Sequence, residues 1–404
     1  MKDILISGMG IVSALGTNVE ENLQSLRTNR SGIACLRYLQ TSHTEFPVGE
    51  FKMSDEEMIK LLEIPEDEPT TRTSLMGKLA VREALQNANL RQSDNRKSKV
   101  ALVSGTTVGG MDKSEQFYID FLENDTKNVY ISTHDCGTCT EMIADYFGIF
   151  SQVDTISTAC SSAANAIVLG AELLKSGRAD IVVAGGSECI TKFHLNGFNT
   201  LMILDREPCR PFDATRAGLN LGEGAAYVVM ETVESFNKRL QDNPSMTPLC
   251  KLSGYANTCD AFHQTASSPD GEGAYLAMKK ALENADMQPS DIDYINAHGT
   301  GTVNNDISEG TAIVRLFGNK IPPVSSTKSF TGHTTSAAGC VEAIISILAL
   351  QHNFIPANLN FKNKMEDLPF APFVGEKICS PLQHVLSNSF GFGGNDTSLI
   401  FSKI

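Results

Sequence analysis

Positive charge is scarce in this sequence: 33 Lys and Arg stand against 47 Asp and Glu, a formal net charge of −14. That excludes general binding to nucleic acid, which needs a basic face. An acidic partner protein would need a local cluster of Lys and Arg. Long hydrophobic runs are missing too. The longest, Ala343–Leu350, is interrupted by Ser346 and falls well short of the roughly 20 residues that span a bilayer, so no membrane association is expected. The opening segment Met1–Gly10 is short and broken by glycine, which predicts a first buried strand rather than a secretory signal. No Gly-x-x-x-x-Gly-Lys is present, and no Gly-x-Gly-x-x-Gly opens a helix in a first strand–helix unit, so no nucleotide loop is expected. Ten cysteines lie at irregular spacings. That predicts reduced thiols in a cytoplasmic protein and no disulfide framework. Cys136-Gly-Thr-Cys139 has no second such pair beside it, so no metal site is expected there. It reads as two small residues at the start of a helix over Thr140–Phe147.

With 404 residues, 41% hydrophobic and 20% charged, the chain has the balance of a soluble globular protein with a large core. It also repeats itself. Leu79–Leu90 and Leu276–Met287 share six of twelve positions and the same helical apolar spacing. Each is preceded by a strand-like run, Ile4–Gly8 and Leu249–Gly254, and followed by another, Lys99–Gly105 and Ile292–His298. Cys160-Ser-Ser-Ala-Ala and His333-Thr-Thr-Ser-Ala-Ala each open a helix. Gly222–Met230 and Gly393–Phe401 close each half with a glycine turn and a strand. Strands alternating with helices predict α/β architecture. Two copies predict a pseudo-symmetric layered fold, with halves 1–245 and 246–404 joined near the polar stretch Glu234–Thr247. The reactive site is expected between the halves, at the carboxyl ends of strands.

Three Gly/Ser/Thr-rich segments carry one or two reactive groups each: Ser157–Ser162, Ala297–Thr302 and Lys328–Thr334. Cys160 lies between a strand expected over Val153–Ala159 and a helix expected over Ser161–Ser176. At a helix N-terminus the dipole and free amides favour thiolate over thiol. His298 enters the Gly-Thr-Gly-Thr turn, and His333 sits in Thr-Gly-His-Thr. Two neutral imidazoles can each donate a hydrogen bond to a developing oxyanion, and one can shuttle a proton. The other six histidines lack this setting. Glu342 falls in an apolar helix and needs a partner. Lys328 can supply it and hold the imidazoles in place. Gly391-Phe392-Gly393-Gly394 permits a turn whose amides can complete an oxyanion hole with the amide of Cys160.

In combination these segments resemble a β-ketoacyl-[acyl-carrier-protein] synthase of type I/II, in the thiolase superfamily, over essentially the whole chain. Thr158–Ser162, Ala297–Thr302, Lys328–Gly339 and Asn388–Gly394 match the family's motifs, with Arg210–Asp213 and Gly218–Glu223 between them. Two histidines separate the chain from synthases that use His and Asn. Phe392 stands where thiolases place a second cysteine, and the retained Cys160 separates it from chain-length-factor subunits. The resemblance implies a five-layered α-β-α-β-α fold of duplicated βαβαβαββ halves. It implies an acyltransferase that condenses a Cys160-bound acyl group with a malonyl thioester on acyl carrier protein, without cofactor or metal, in fatty-acid or polyketide-type elongation. His298 and His333 would stabilise the enolate, Lys328 and Glu342 would organise them, and Phe392 would gate the acyl pocket. A homodimer, or a heterodimer with a related subunit, is implied as well. The alternatives are a non-catalytic chain-length partner and a thiolase-fold acyltransferase that makes no use of malonate.

Three places depart from the family pattern: Asn296 where Glu usually stands, Ala217–Leu221, and Asn395-Asp396 after the last glycines. The Gly218–Glu223 variant is similar to synthases of bacterial aryl-polyene and flexirubin pathways. Arg72 and Arg210 are candidate contacts for an acidic carrier, with the run Glu66–Glu68 unhelpfully beside Arg72.

Overall fold

The computed structural model describes residues 3–65, 67–90, 98–375 and 381–404. In the first part of the chain the order is β1 (Ile4–Ser13), α1 (Val19–Arg27), α2 (Asp55–Leu62), α3 (Arg72–Asn87), β2 (Val100–Gly105), α4 (Met111–Glu123), α5 (Cys136–Phe147), β3 (Gln152–Ile156), α6 (Ser162–Lys175), β4 (Ile181–Glu188), α7 (Lys192–Thr200), β5 (Gly224–Thr232) and α8 (Val233–Asp242). The second part has β6 (Cys250–Cys259), α9 (Glu272–Ala285), β7 (Tyr294–Asn296), α10 (Val303–Phe317), β8 (Val324–Ser325), α11 (Lys328–Thr331), α12 (Ala338–His352), β9 (His384–Gly391) and β10 (Asn395–Ser402).

Ten strands form a mixed sheet in the order β3-β2-β4-β5-β1-β6-β10-β9-β7-β8. Counted within its own half, each set of five runs third, second, fourth, fifth, first from its outer edge. The repeat read from the sequence is therefore a repeat of topology. The halves meet where Ile4–Ile6 of β1 pairs antiparallel with Cys250–Leu252 of β6.

Strand alternation sorts side chains into layers. On β2, Val100 and Leu102 face a cluster with Leu75, Leu79 and Ile143 of α3 and α5. Ala101 and Val103 face the middle of the molecule, where Ala163 and Ile167 of α6 pack with Val341, Ile344 and Ile345 of α12. Beyond the second set of strands, Ile295, Leu386 and Ile400 pack with α9 and α10 through Ala277, Met278 and Ile313. Helices, sheet, helices, sheet, helices is the five-layered arrangement that the resemblance implies. Thr335–His352, comprising a 3₁₀ turn and α12, is 18 residues long and apolar enough to cross a bilayer, yet 89% of it is buried inside the molecule. Its uniform apolarity follows from being walled on all sides.

Two local expectations are corrected. β3 stops at Ile156, and the chain then turns through Ala159 with φ of 50° before Cys160. α5 begins at Cys136 rather than Thr140, because the Asp135 carboxylate accepts from the Gly137 amide as its cap. The polar stretch expected to join the halves contains α8, capped by the Thr232 hydroxyl accepting from Ser235 N–H.

The approach of α12 to α6 brings the two chemical segments together, and Gly339 sets its distance. A Cβ at Gly339 would lie 2.6 Å from the Ala164 amide nitrogen and 2.7 Å from its Cβ. Gly339→Ala is expected to cost about 1–3 kcal/mol of overpacking. Chemical denaturation measures this, and an unchanged midpoint would show that the helices can separate freely.

Candidate active site

Cys160 sits between β3 and α6 and lines a cavity of about 310 Å³ together with His298, His333 and Phe392. Cys160 follows Ala159, whose φ of 50° lies in the left-handed region. Its nearest ionisable neighbour is His333, whose Nε2 lies 3.0 Å from Cys160 Sγ. The backbone N–H of Phe392 also reaches Cys160. The turn that presents this amide uses Gly393 and Gly394 at φ of 82° and 75°, where a side chain would be strained.

His298 follows β7, and its ring stands edge-on to His333 with centroids 5.3 Å apart. Its orientation comes from Lys328. The Lys328 ammonium donates to His298 Nδ1 at 3.2 Å, to the His298 carbonyl at 2.6 Å, and to Glu342 Oε1. An ammonium has no lone pair, so Nδ1 must accept and the ring proton must reside on Nε2. His298 is thereby fixed as a hydrogen-bond donor towards the cavity. His333 is less constrained: its Nδ1 has no hydrogen-bond partner among the described residues, so its proton is free to change nitrogen. Both imidazoles are held neutral. Burial lowers the His298 pKa well below the ordinary value, helped by Lys328 and His333. Burial does the same to His333, helped by Lys328 and His194.

The thiol overturns one expectation. Helix-start activation predicts a lowered Cys160 pKa, but burial pushes it up to about 11 against the opposite pull of Lys328 and the Phe392 amide. The resting state is thus a thiol beside a neutral imidazole, with His333 Nε2 placed to accept the S–H proton. Glu342 behaves as its apolar helix predicts. It is buried, its carboxyl is pushed up to about 7 by burial against the pull of Lys328, and Lys328 is its partner.

Sequence reasoning missed Glu309 and Asp306. Glu309 accepts from the amides of His298 (2.9 Å) and Gly299 (2.7 Å) and from Asn388 Nδ2 (3.1 Å). Asp306 accepts from the amides of Phe212 (2.7 Å) and Gly301 (3.2 Å). Two acids three residues apart on the helix after an amide-rich turn were the available signal, since such a turn offers donors that anions satisfy.

The departures from the family pattern now have places. Asn296 Nδ2 donates to the Glu342 carbonyl (3.1 Å) and to Ser346 Oγ (3.2 Å), behind the ion pair. The Asn220 carbonyl accepts from the His333 amide at 2.7 Å, while Ala217 and Leu219 line the cavity. Asn395 Oδ1 accepts from Ser161 Oγ, Asn165 Nδ2 and Asn257 Nδ2, tying the start of α6 to β6. Neither carrier-docking candidate is free. Arg72 is buried and paired with Glu223 and Asp55, and Arg210 is held by Asp205 and Thr215. Glu66 lies outside the described residues.

Known proteins resemble this chain along its whole length. Residues 1–235 match the family described as beta-ketoacyl synthase, N-terminal domain, and residues 249–362 match its C-terminal domain. The chain is 31% identical to 3-oxoacyl-[acyl-carrier-protein] synthase 2 of Coxiella burnetii, covering 99% of this chain and 98% of that protein. It is 32% identical to 3-oxoacyl-[acyl-carrier-protein] synthase 1 of Haemophilus influenzae, covering 100% and 99%. Among solved structures it superposes on the ishigamide ketosynthase/chain length factor with a TM-score of 0.92 at 29% identity, covering 100% and 99%. It superposes on a chain of the complex between the ketosynthase ApeO and its chain length factor ApeC from Xenorhabdus doucetiae, with a TM-score of 0.86 at 30% identity, covering 100% and 98%.

Two outcomes test the electrostatics. Because burial pushes the Cys160 thiol up to about 11, its alkylation by iodoacetamide, followed on its own peptide by mass spectrometry, should keep rising through pH 7–10 by about tenfold per unit. A plateau near neutrality would contradict the buried thiol. Lys328→Met removes a charge that lowers the His298 pKa, so that pKa rises and protonation of His298 moves to higher pH. Histidine NMR titration checks this, and an unmoved His298 would contradict its contact with Lys328.

Proposed function

The chain belongs to the β-ketoacyl synthase family, and from that premise we propose that it condenses a Cys160-bound acyl group with malonyl-acyl carrier protein, with loss of CO₂. The observation that carries the proposal is the convergence of Cys160 Sγ, His333 Nε2 and a His298 held as a donor by Lys328 around one cavity.

In the first step Cys160 Sγ attacks the thioester carbonyl of an acyl carrier, and its proton passes to His333 Nε2. The carrier's C–S bond breaks, and His333 returns the proton to the departing thiolate. The enzyme is then an acyl-thioester with no net charge change. With the S–H consumed, His333 Nε2 can carry the ring proton as a donor.

Malonyl thioester next enters the same cavity. Its carboxylate leaves as CO₂, and the electron pair of the broken C–C bond moves into the thioester, placing charge on oxygen. His298 Nε2–H and His333 Nε2–H donate to that oxygen. Donors of this kind are worth roughly 10²–10³ in rate each. The enolate carbon attacks the acyl carbonyl on Cys160, and the amides of Cys160 and Phe392 stabilise the resulting oxyanion. Collapse breaks the C–S bond, frees the β-ketoacyl carrier and restores the thiol after protonation. Neutral imidazoles suit this scheme, because an imidazolium at either place would hold charge before the reaction needs it.

The retained Cys160–His333 contact supports catalysis over a chain-length partner role. A dimer, with a second copy or a related subunit, is part of the proposal. Its support is the outer strand β3, where Val153 is exposed, and the pairing of ApeO with a chain length factor. A cytoplasmic location is also proposed, supported by nine described cysteines that are all free thiols.

The geometry separates the histidines: His333 touches the sulfur and His298 does not. His298→Ala is expected to lose malonyl decarboxylation by at least about 10²-fold while Cys160 still takes up an acyl group. His333→Ala should lose both. Acyl-adduct mass and CO₂ release measure the two steps separately, and equal losses in His298→Ala would contradict the division. Cys160→Ala should abolish condensation with the fold intact, and turnover by that variant would end the proposal.

A further inference from the structure

One buried acid near the site takes no part in the steps above. Asp396, the second residue of β10, is 4% exposed and lies opposite Phe390 of β9 in the hairpin whose tip carries Phe392. A methyl group built at Gly273, in the first turn of α9, would lie 2.1 Å from Asp396 Oδ2 and 2.7 Å from Asp260 Cβ. Both acids therefore border that turn, in a space that only glycine leaves open.

Asp260 organises the segment between β6 and α9. Its carboxylate accepts from Ser268 N–H (2.7 Å), Ser268 Oγ (2.7 Å) and Gly273 N–H (3.3 Å). Its own N–H donates to the Gly394 carbonyl (2.8 Å), and the Gly393 N–H donates to the Gln264 carbonyl (2.8 Å). Thr265, Ala266 and Ser267 of this segment line the cavity above Cys160. The Phe392 turn and one wall of the cavity thus rest on a single piece of backbone, and Asp396 borders the same space over Gly273 as the residue that folds it.

We propose that Asp396 is a positioning residue for the Phe392 turn, its carboxyl holding the 260–273 segment and the hairpin tip together through contact with Asp260. Resting on the proposed function only for the role of Phe392, this goes beyond it by assigning a residue that touches no substrate. The contact is sensitive to pH. Burial raises the Asp396 pKa to about 8, helped by Asp260 from the segment after β6 and Glu309 from α10. Glu272, the other acid of that helix turn, is paired with Arg315. Among the described residues no Lys, Arg or His forms an ion pair with Asp396 or Asp260. Below about pH 8 a neutral acid faces a carboxylate. Above it two carboxylates face each other in a buried space, which is unfavourable. The folded-state value is raised, so the stabilisation is present at low pH and lost as pH rises through about 8.

Hydrogen exchange of peptides spanning 260–273 and 388–397, corrected for intrinsic chemical rates, tests this without reference to catalysis. In the wild type, protection should fall about tenfold between pH 7 and 9, the effect of one unit of coupling. Asp396→Asn should show no such fall. Asp260→Asn, which removes one repelling charge, should move the transition to lower pH. A wild type without the transition, an Asp396→Asn variant that keeps it, or an unmoved midpoint in Asp260→Asn would each overturn the proposal. Should Asp396→Asn fail to fold, the other two proteins still decide. Since exchange is read on the free chain, failure here leaves the condensing activity untouched, and inactivity of the enzyme would leave this result standing.

Discussion

A single buried ammonium carries the structure of the site. Lys328 is 1% exposed and divides its three protons among the ring and carbonyl of His298 and the carboxylate of Glu342. Taking such a charge out of water costs several kcal/mol, and breaking a buried pair costs about 3–5 kcal/mol. The molecule keeps it because a lysine beside Nδ1 does what a neutral donor or acceptor cannot. It forbids protonation of Nδ1, leaves the proton on Nε2, and lowers the basicity of both imidazoles. Hydroxyls in the same place would allow either tautomer.

The duplicated topology explains how such distant segments meet. Cys160 follows the third strand of the first half and precedes α6. His333 follows the third strand of the second half and precedes α12. Because α6 and α12 pack together in the middle layer, equivalent turns of the two halves face each other. The sulfur and the imidazole touch across the pseudo-symmetry axis. His298 arrives from the neighbouring strand β7, which pairs with β8. The first half contributes the thiol and the second the imidazoles, with Cys160 and His333 at positions that are structurally alike. Asymmetry of chemistry is laid on symmetry of backbone.

Much of this was legible in the sequence, for physical reasons that can be named. The strand-to-helix turns show as Gly/Ser/Thr runs, since close backbone approaches demand small residues. Glu342 announced a partner because its helix is otherwise apolar. The resemblance supplied the fold and the roles. Long-range burial was not legible. The helix-start argument for Cys160 is local and points down, whereas desolvation depends on everything packed around the sulfur and points up. Arg72 looked like a surface cation, yet it lies buried against Glu223, which is 151 residues away. Glu309 and Asp306 stood beside the histidine turn in sequence, but their task appears only once the amides they receive are in place. The departure at Asn395-Asp396 was visible as a departure and nothing more until the neighbours of both side chains were known.

The most direct test of the central claim is the protonation state of one ring. Selective ¹⁵N labelling of histidine, with NMR detection of ring nitrogens in the wild-type protein, distinguishes protonated from bare nitrogen. His298 is predicted to remain neutral from pH 6 to 9, with a proton on Nε2 and none on Nδ1. An imidazolium within that range, or a proton on Nδ1, would contradict the account.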